Sequence, residues 1–202
     1  PLRGPDVNRS QVGFSVERDG EGPGAIRYGL AAIRNVGEGA MRALVAEREA
    51  NGPFRSIWDF AARLDPKQIN KRQLENLIRA GAFDGMDRNR ARLMAGVDTL
   101  VRYAHAEAAE RESGHGNLFD GLTGGGGLAV PNLPNRPDWD DMERLEQERS
   151  AIGFYLSAHP LDSFKTGRVG AIPSGEVFRR LRSYQGNRFK MAGIVLARRE
   201  MT

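Results

Sequence analysis

Ile26-Arg27-Tyr28-Gly29-Leu30-Ala31-Ala32-Ile33-Arg34-Asn35-Val36-Gly37-Glu38-Gly39-Ala40-Met41-Arg42-Ala43-Leu44-Val45 decides the reading of the fold. Ile26, Leu30 and Ile33 recur at helical spacing, Ala40, Met41, Leu44 and Val45 repeat the pattern, and Asn35-Val36-Gly37-Glu38-Gly39 interrupts the two. The pattern predicts a helix, a tight turn and a helix. Gly37 and Gly39 permit positive φ and a close backbone approach. The start of the second helix presents N–H groups without intrahelical partners at the positive end of a dipole. An anion fits there. With Arg34 and Arg42 flanking the turn, the expected anion is a nucleic-acid phosphate, held without reference to base sequence. Spacing alone equally supports a helical hairpin whose glycines only let two helices pack closely.

Working outward, 202 residues suffice for one or two domains, and 40% hydrophobic with 28% charged residues is ordinary for a soluble globular protein. The absence of cysteine excludes a disulfide framework, a thiolate metal site and a thiolate nucleophile. No apolar run reaches the length of a membrane span and Pro1-Leu2-Arg3-Gly4 opens no signal peptide, so the expectation is a cytoplasmic protein with no membrane partner. The net charge of +4 is unevenly spread. Arg27 to Arg92 holds 13 Lys/Arg against 8 Asp/Glu, Arg136 to Asp162 holds 3 against 7, and Ser163 to Glu200 holds 9 against 2. Two basic blocks around an acidic connector suit a polyanion contacted at two places.

Before the opening stretch, Gln11 to Glu17 alternates apolar and polar residues as a half-buried strand does. With no partner ahead of it, it suggests a chain that continues upstream. After it, Ser56 and Asp59 mark a helix start whose buried face is Ile57, Phe60, Ala61 and Leu64. Asn70 and Gln73 mark another, with Leu74, Leu77 and Ile78 inward and Gly81 as the stop. Ala80-Gly81-Ala82-Phe83-Asp84-Gly85 then joins this helix to a long one, Arg88 to Arg111, with Leu93, Val97, Leu100, Val101 and Ala104 along one side. Phe83 is expected as a core plug. Lys71, Arg72, Arg79, Arg88, Arg90 and Arg92 crowd this second hairpin and form a weaker candidate contact to nucleic acid.

Ser113 to Asp138, with four consecutive glycines and three prolines, has linker composition. Within it Leu118-Phe119, preceded by His115-Gly116-Asn117, are large apolar residues in a polar setting. They suit either a short peptide ligand for a partner's pocket or a cover for the long helix. Asp138 is expected to cap a helix from Trp139 with Asp141 answering, and Met142, Leu145, Arg149, Ile152 and Leu156 on one face. Capping and the dipole account for Asp138, Asp140 and Asp141 without a metal. A short helix after Ser174 carries Val177, Phe178 and Leu181. Arg188 to Arg198 reads as a sheet-interior strand, apolar on both faces, whose partners would lie downstream. No phosphate-loop, HExxH or Ser/His/Asp pattern is present, and no catalytic or metal-ligating residue is assigned.

Five blocks in order resemble the alpha, or catalytic, subunits of bacterial replicative DNA polymerase III, the C-family polymerases. They are Pro5-Asp6-Val7-Asn8-Arg9-Ser10, Ile26 to Ile33, Gly52-Pro53-Phe54-Arg55-Ser56, Asn70-Lys71-Arg72 through Ala80-Gly81-Ala82-Phe83-Asp84, and Gly153 to Leu161. The resemblance implies a mainly α fold. Residues 1–24 would end a β-containing fingers domain, 25–112 form a tandem helix-hairpin-helix domain, 113–138 a flexible linker, 139–187 a helical connector and 188–202 the first strand of an OB-fold. It implies duplex DNA held by Arg34, Asn35, Val36, Gly37, Glu38, Gly39, Arg42, Lys71, Arg72, Arg79, Arg88 and Arg90. The sliding clamp would be held by His115, Asn117, Leu118 and Phe119, and single-stranded template by the OB-fold. Other replicative holoenzyme subunits are further expected partners. The family's catalytic carboxylates and their Mg2+ lie outside this sequence. Two departures stand out: Asn35 replaces the hairpin's usual glycine, and His115 replaces the glutamine that usually opens the clamp peptide. A helix-hairpin-helix module of a repair nuclease or ligase, or of an error-prone polymerase paralogue, is the competing reading.

Overall fold

The computed structural model describes residues 1–18, 23–113, 129–163, 170–172, 174–179, 186 and 188–195. They fall in two compact units, Pro1–Leu156 and Ser157–Thr202.

In the first unit, strands β1 (Leu2–Arg3), β2 (Ser15–Glu17) and β3 (Ala25–Arg27) form a sheet in the order β1-β3-β2. Leu2 pairs parallel and Val16 antiparallel with Ile26. Two expectations change here. The strand around Val16 has its partner later in the same chain, and Ile26, read as the start of a helix, is in a strand and faces solvent. The inward position belongs to Arg27, whose guanidinium donates to Glu17 Oε2 (Nε 3.1 Å, Nη2 2.5 Å) and to Gly4 O (2.7 Å). Arg3 and Arg9 reach the same carboxylate at 2.9 and 2.5 Å. Burial pushes Glu17 up, but Arg27, Arg3 and Arg9 outweigh it and hold the carboxyl below its ordinary value.

A single 3-10 turn at Leu30–Ala32 follows, then helix α1 (Glu38–Asn51). The first arm of the expected hairpin is therefore a strand and one turn. Leu30 and Ile33 are still buried, opposite Met41, Leu44 and Val45 of α1. Helix α2 (Ile57–Arg63) is capped by Ser56, whose Oγ accepts from Asp59 N at 3.1 Å; the Asp59 carboxylate answers at Arg55 N, one residue from the reciprocal position. Helix α3 (Lys71–Arg79) has the complete box: Asn70 Oδ1 accepts from Gln73 N and Gln73 Oε1 from Asn70 N, both at 3.0 Å.

The long helix expected from Arg88 to Arg111 is two helices, α4 (Arg90–Ala95) and α5 (Val97–Ser113). They break at Gly96, where a Cβ would lie 2.3 Å from Leu133 Cδ2. Leu133 belongs to the irregular segment before helix α6 (Asp141–Ile152), and it packs against the core although its surroundings have linker composition. Asn89 Nδ2 fixes the same segment by donating to Arg136 O at 2.7 Å.

The cap of α6 is Asp140, which accepts from Glu143 N at 2.8 Å, not Asp138. Met142, expected inward, is exposed, and Glu148 is buried instead. The core is one cluster joining Leu30, Met41, Phe60, Leu77, Phe83 and Leu100, with Phe54, Phe60 and Phe83 in edge-to-face contact at 5.1 and 4.8 Å. Phe83 is the plug that its sequence position predicts.

Residues 5–10 are stitched into this core. Asn8 and Phe54 exchange two hydrogen bonds of 2.8 Å, Val7 N donates to Ala82 O at 2.9 Å, and buried Arg48 donates to Val7 O and Ser10 O at 2.9 and 2.8 Å. Burial lowers the Arg48 pKa, and these two carbonyls take the hydrogen bonds that water would supply. Both the N-terminal segment and residues 139–156 lie in the same compact unit as the helical hairpins.

In the second unit, a 3-10 turn at Pro160–Ser163 precedes helix α7 (Ser174–Arg179), in which Val177 is buried and Phe178 exposed. Lys190 makes one isolated parallel bridge to Ala171. Over the described residues 188–195, Phe189, Met191 and Val195 are exposed, in contrast to the sheet-interior strand expected there. Leu181 and residues 196–198 of that expectation lie outside the described residues.

Candidate nucleic-acid interface

The turn of the first hairpin puts its left-handed residue at Asn35 (φ 58), the position of the departure from the family's glycine. Gly37 caps α1 in extended geometry (φ −74, ψ 135), and Gly39 lies in the first turn of the helix. Neither glycine uses positive φ, so their value lies in the room they leave. A Cβ on Gly39 would meet nothing within 4 Å, and one on Gly37 would meet only the end of the Gln73 side chain at 3.1 Å.

Among the described residues no side chain caps α1, and the first helical bond runs from Met41 N to Gly37 O at 3.2 Å. Gly37, Glu38 and Gly39 are exposed, which leaves the N–H groups at the helix start facing outward with the dipole's positive end. Glu38 is drawn along the helix to Arg42, whose Nε and Nη2 donate to Glu38 Oε1 at 3.1 and 2.5 Å. Val36 is buried, so it supplies backbone to the turn while its side chain anchors it. The Arg34 guanidinium is turned toward the end of α6, 3.4 Å from Ser150 O.

Beside this turn, Asn35, Lys71, Arg72, Glu75, Asn76, Arg79 and Ser150 line one open hollow of about 450 Å³. The structure thereby brings the first hairpin's turn and the basic start of α3 to one surface. Arg72 is exposed and makes no ion pair among the described residues. Lys71 Nζ lies 2.6 Å from Asp98 Oδ1, and that hydrogen bond raises its pKa. Arg79 donates through Nε to Gln147 Oε1 at 3.1 Å, with Glu75 3.9 Å from its Nη2.

The second hairpin is arranged differently, and one expectation fails in it. Arg90, read as a DNA contact, is only 4% exposed. Its Nε and Nη2 donate to the two oxygens of Asp84 at 2.8 and 2.6 Å, and its Nη1 donates to Arg79 O at 3.0 Å. Gly81, at φ 80, makes space for that guanidinium, since a Cβ there would lie 2.0 Å from Arg90 Nη2. Arg88 stays exposed. Asp138, expected to cap its own helix, reaches across 47 residues to accept from Ala91 N at 3.1 Å, and also from Arg144 Nη1 at 3.0 Å. Sequence reasoning also missed Glu148 and Arg144, which no local pattern marks. The four expected clamp residues, His115, Asn117, Leu118 and Phe119, lie outside the described residues.

A helix-hairpin-helix motif model matches residues 1–93. Over 201 residues, 98% of the chain, it is 42% identical to the DNA polymerase III subunit alpha of Caulobacter vibrioides. It is 35% identical over 198 residues to that of Vibrio cholerae and 43% identical over 162 residues to that of Thermus aquaticus. The chain belongs to the DNA polymerase III alpha-subunit family. It spans 17% of the Caulobacter and Vibrio subunits and 12% of the Thermus one. These alpha-subunit relatives favour the polymerase reading over a repair nuclease or ligase. Among the described residues no helix is long and apolar enough to cross a membrane. Nor, among these residues, is any group of three or more histidine or carboxylate side chains placed to hold a metal ion.

Proposed function

We propose that this chain is the part of a DNA-directed DNA polymerase that grips duplex DNA by its backbone, without reading base sequence, and tethers the enzyme to a sliding clamp. The start of α1 carries the first half of the reading. Outward N–H groups with no side-chain cap, and open space beside Gly39, suit a phosphate oxygen better than they suit water alone. Arg72, Lys71 and Arg79 around the adjoining hollow supply charge for a neighbouring phosphate, and the exposed Arg42 and Arg88 are further contacts. His115, Asn117, Leu118 and Phe119 are assigned to the clamp, and the region from Arg188 to single-stranded template. The Mg2+-dependent chemistry and the other holoenzyme subunits belong to a cytoplasmic assembly of which this chain is the handhold.

Gly37→Val with Arg42→Ala tests the grip. Valine adopts the observed φ and ψ, so the fold should survive. Duplex affinity should fall about equally for all sequences, with the slope of log affinity against log salt reduced by about one. Unchanged affinity in the folded double variant would overturn the reading. Leu118→Ala with Phe119→Ala should abolish clamp binding and leave duplex binding intact; retained clamp binding would remove those residues from the interface.

A further inference from the structure

The last carbonyls of α6 are taken by the residue that precedes the first hairpin's turn. Arg34 N–H donates to Ala151 O at 2.9 Å, and its Nη1 lies 3.4 Å from Ser150 O. Gly153 ends the helix in left-handed geometry (φ 106) and donates its own N–H to Arg149 O at 2.7 Å. Carbonyls at a helix C-terminus lack intrahelical partners, and the negative end of the dipole favours a cation beside them. A Cβ at Gly153 would lie 2.8 Å from Arg34 Nη2, so a side chain there would make the guanidinium shift.

Elsewhere along its length α6 is bolted to the second hairpin. Gln147 accepts from Arg79, and Arg144 bridges Asp84 and Asp138 at 2.9 and 3.0 Å. Glu148, 2% exposed, takes Leu156 N at 2.7 Å and lies 3.8 Å from Arg90 Nη1. A helix held at these points and ending on Arg34 fixes the chain one residue before its left-handed kink at Asn35.

We infer that α6 is a brace that holds the first hairpin's turn in its anion-binding geometry, and that Arg34 is a positioning residue, its guanidinium capping α6 instead of contacting phosphate. The inference rests on the DNA-grip reading above for the purpose of the turn, and on the contacts alone for its mechanics. An uncharged change at Gly153 should then impair the turn much as loss of Arg34 does.

The test measures two properties of the 202-residue chain: duplex affinity across a salt series, and amide hydrogen exchange without DNA at Val36 and Met41, whose N–H groups are bonded to Ile33 O and Gly37 O. Arg34→Ala, Gly153→Ala and the double variant are compared with Gly52→Ala, which adds strain at a positive φ of 82 where a Cβ meets nothing within 4 Å. Arg34→Ala and Gly153→Ala should each speed exchange and weaken binding roughly two- to tenfold with the salt slope unchanged, and the double variant should be no worse, because one contact is lost in all three. Gly52→Ala should match wild type in both readouts, and Arg34→Lys, which keeps a cation at the helix end, should restore most of the loss. A salt slope lowered by about one in Arg34→Ala, with Gly153→Ala behaving as wild type, would make Arg34 a phosphate ligand and overturn the brace. Unchanged exchange in both single variants would overturn it too. Faster exchange in a chain that binds no duplex would keep the brace and sink the DNA reading.

Discussion

The two hairpins read alike in sequence, each a turn flanked by basic residues and followed by a helix, yet one ends open and the other closed. At the start of α1 the cap is a glycine with no side chain to offer. At the start of α4, Asn89 accepts from Arg92 N at 2.8 Å and Asp138 from Ala91 N at 3.1 Å. The second hairpin thus already holds an anion, a carboxylate supplied by its own chain. Its central arginine is spent inside, on Asp84. Helix N-termini are equivalent as dipoles; what makes one a site is that the protein leaves its donors unused.

The same contrast holds within the hollow. The N-terminus of α3 is closed by the Asn70–Gln73 box, so α3 brings side-chain charge to the surface, whereas the turn at Asn35–Gly39 brings backbone donors. The two kinds of contact should fail differently when removed.

The largest effect is expected in the closed hairpin. Arg90→Ala would leave Asp84 with Arg144 alone and take from the buried Glu148 the guanidinium 3.8 Å away, and should cost about 3–5 kcal/mol of stability, read by urea unfolding. A loss under about 1 kcal/mol would return Arg90 to the candidate DNA contacts. Asp138→Ala opens the second hairpin by removing its internal anion. It should cost roughly 1–2 kcal/mol in the same assay, the ordinary worth of a cap, while duplex binding is retained. If that variant lost duplex binding without losing stability, the closed hairpin would be part of the grip after all.

On the open side, Arg72→Ala should leave stability within about 0.5 kcal/mol, since Arg72 is exposed and makes no ion pair among the described residues, and should lower the salt slope of duplex binding by about one. A fall in stability with no change in slope would make its role structural. The smallest effect is a gain. Asp98→Ala frees Lys71 from its partner and should tighten duplex binding by about twofold at low salt, with the gain lost as ionic strength rises. No change at low salt would place Lys71 outside the DNA path.

What could be read from sequence was what neighbouring residues decide. The Ser56 and Asn70 caps, the stop at Gly81 and the plug at Phe83 all depend on contacts within or just beyond one helical turn. Ile26 misled because Ile26, Leu30 and Ile33 match a helical period over too few residues to exclude a strand followed by a 3-10 turn. Arg27 sits inward in that strand because Glu17 waits for it, a pairing that hydropathy cannot express. Leu133 fills the room that Gly96 leaves, and Asp138 adds a second acceptor beside Asn89 at the start of α4, both distant in sequence. Arg90 was misjudged for the same reason: a guanidinium reads as surface until the chain supplies a buried carboxylate. At the candidate site, sequence marked Asn35 to Gly39 correctly as a turn but credited the glycines with the left-handed conformation that Asn35 adopts.

Gly39→Asp tests the open terminus most directly, because it should move stability and binding in opposite directions. The new side chain enters open space in the first turn of α1, where a carboxylate favours the helix dipole, so the unfolding midpoint should hold or rise. The same carboxylate would stand against a phosphate, and duplex affinity should fall by about tenfold or more. Wild-type affinity in a folded Gly39→Asp chain would contradict the account.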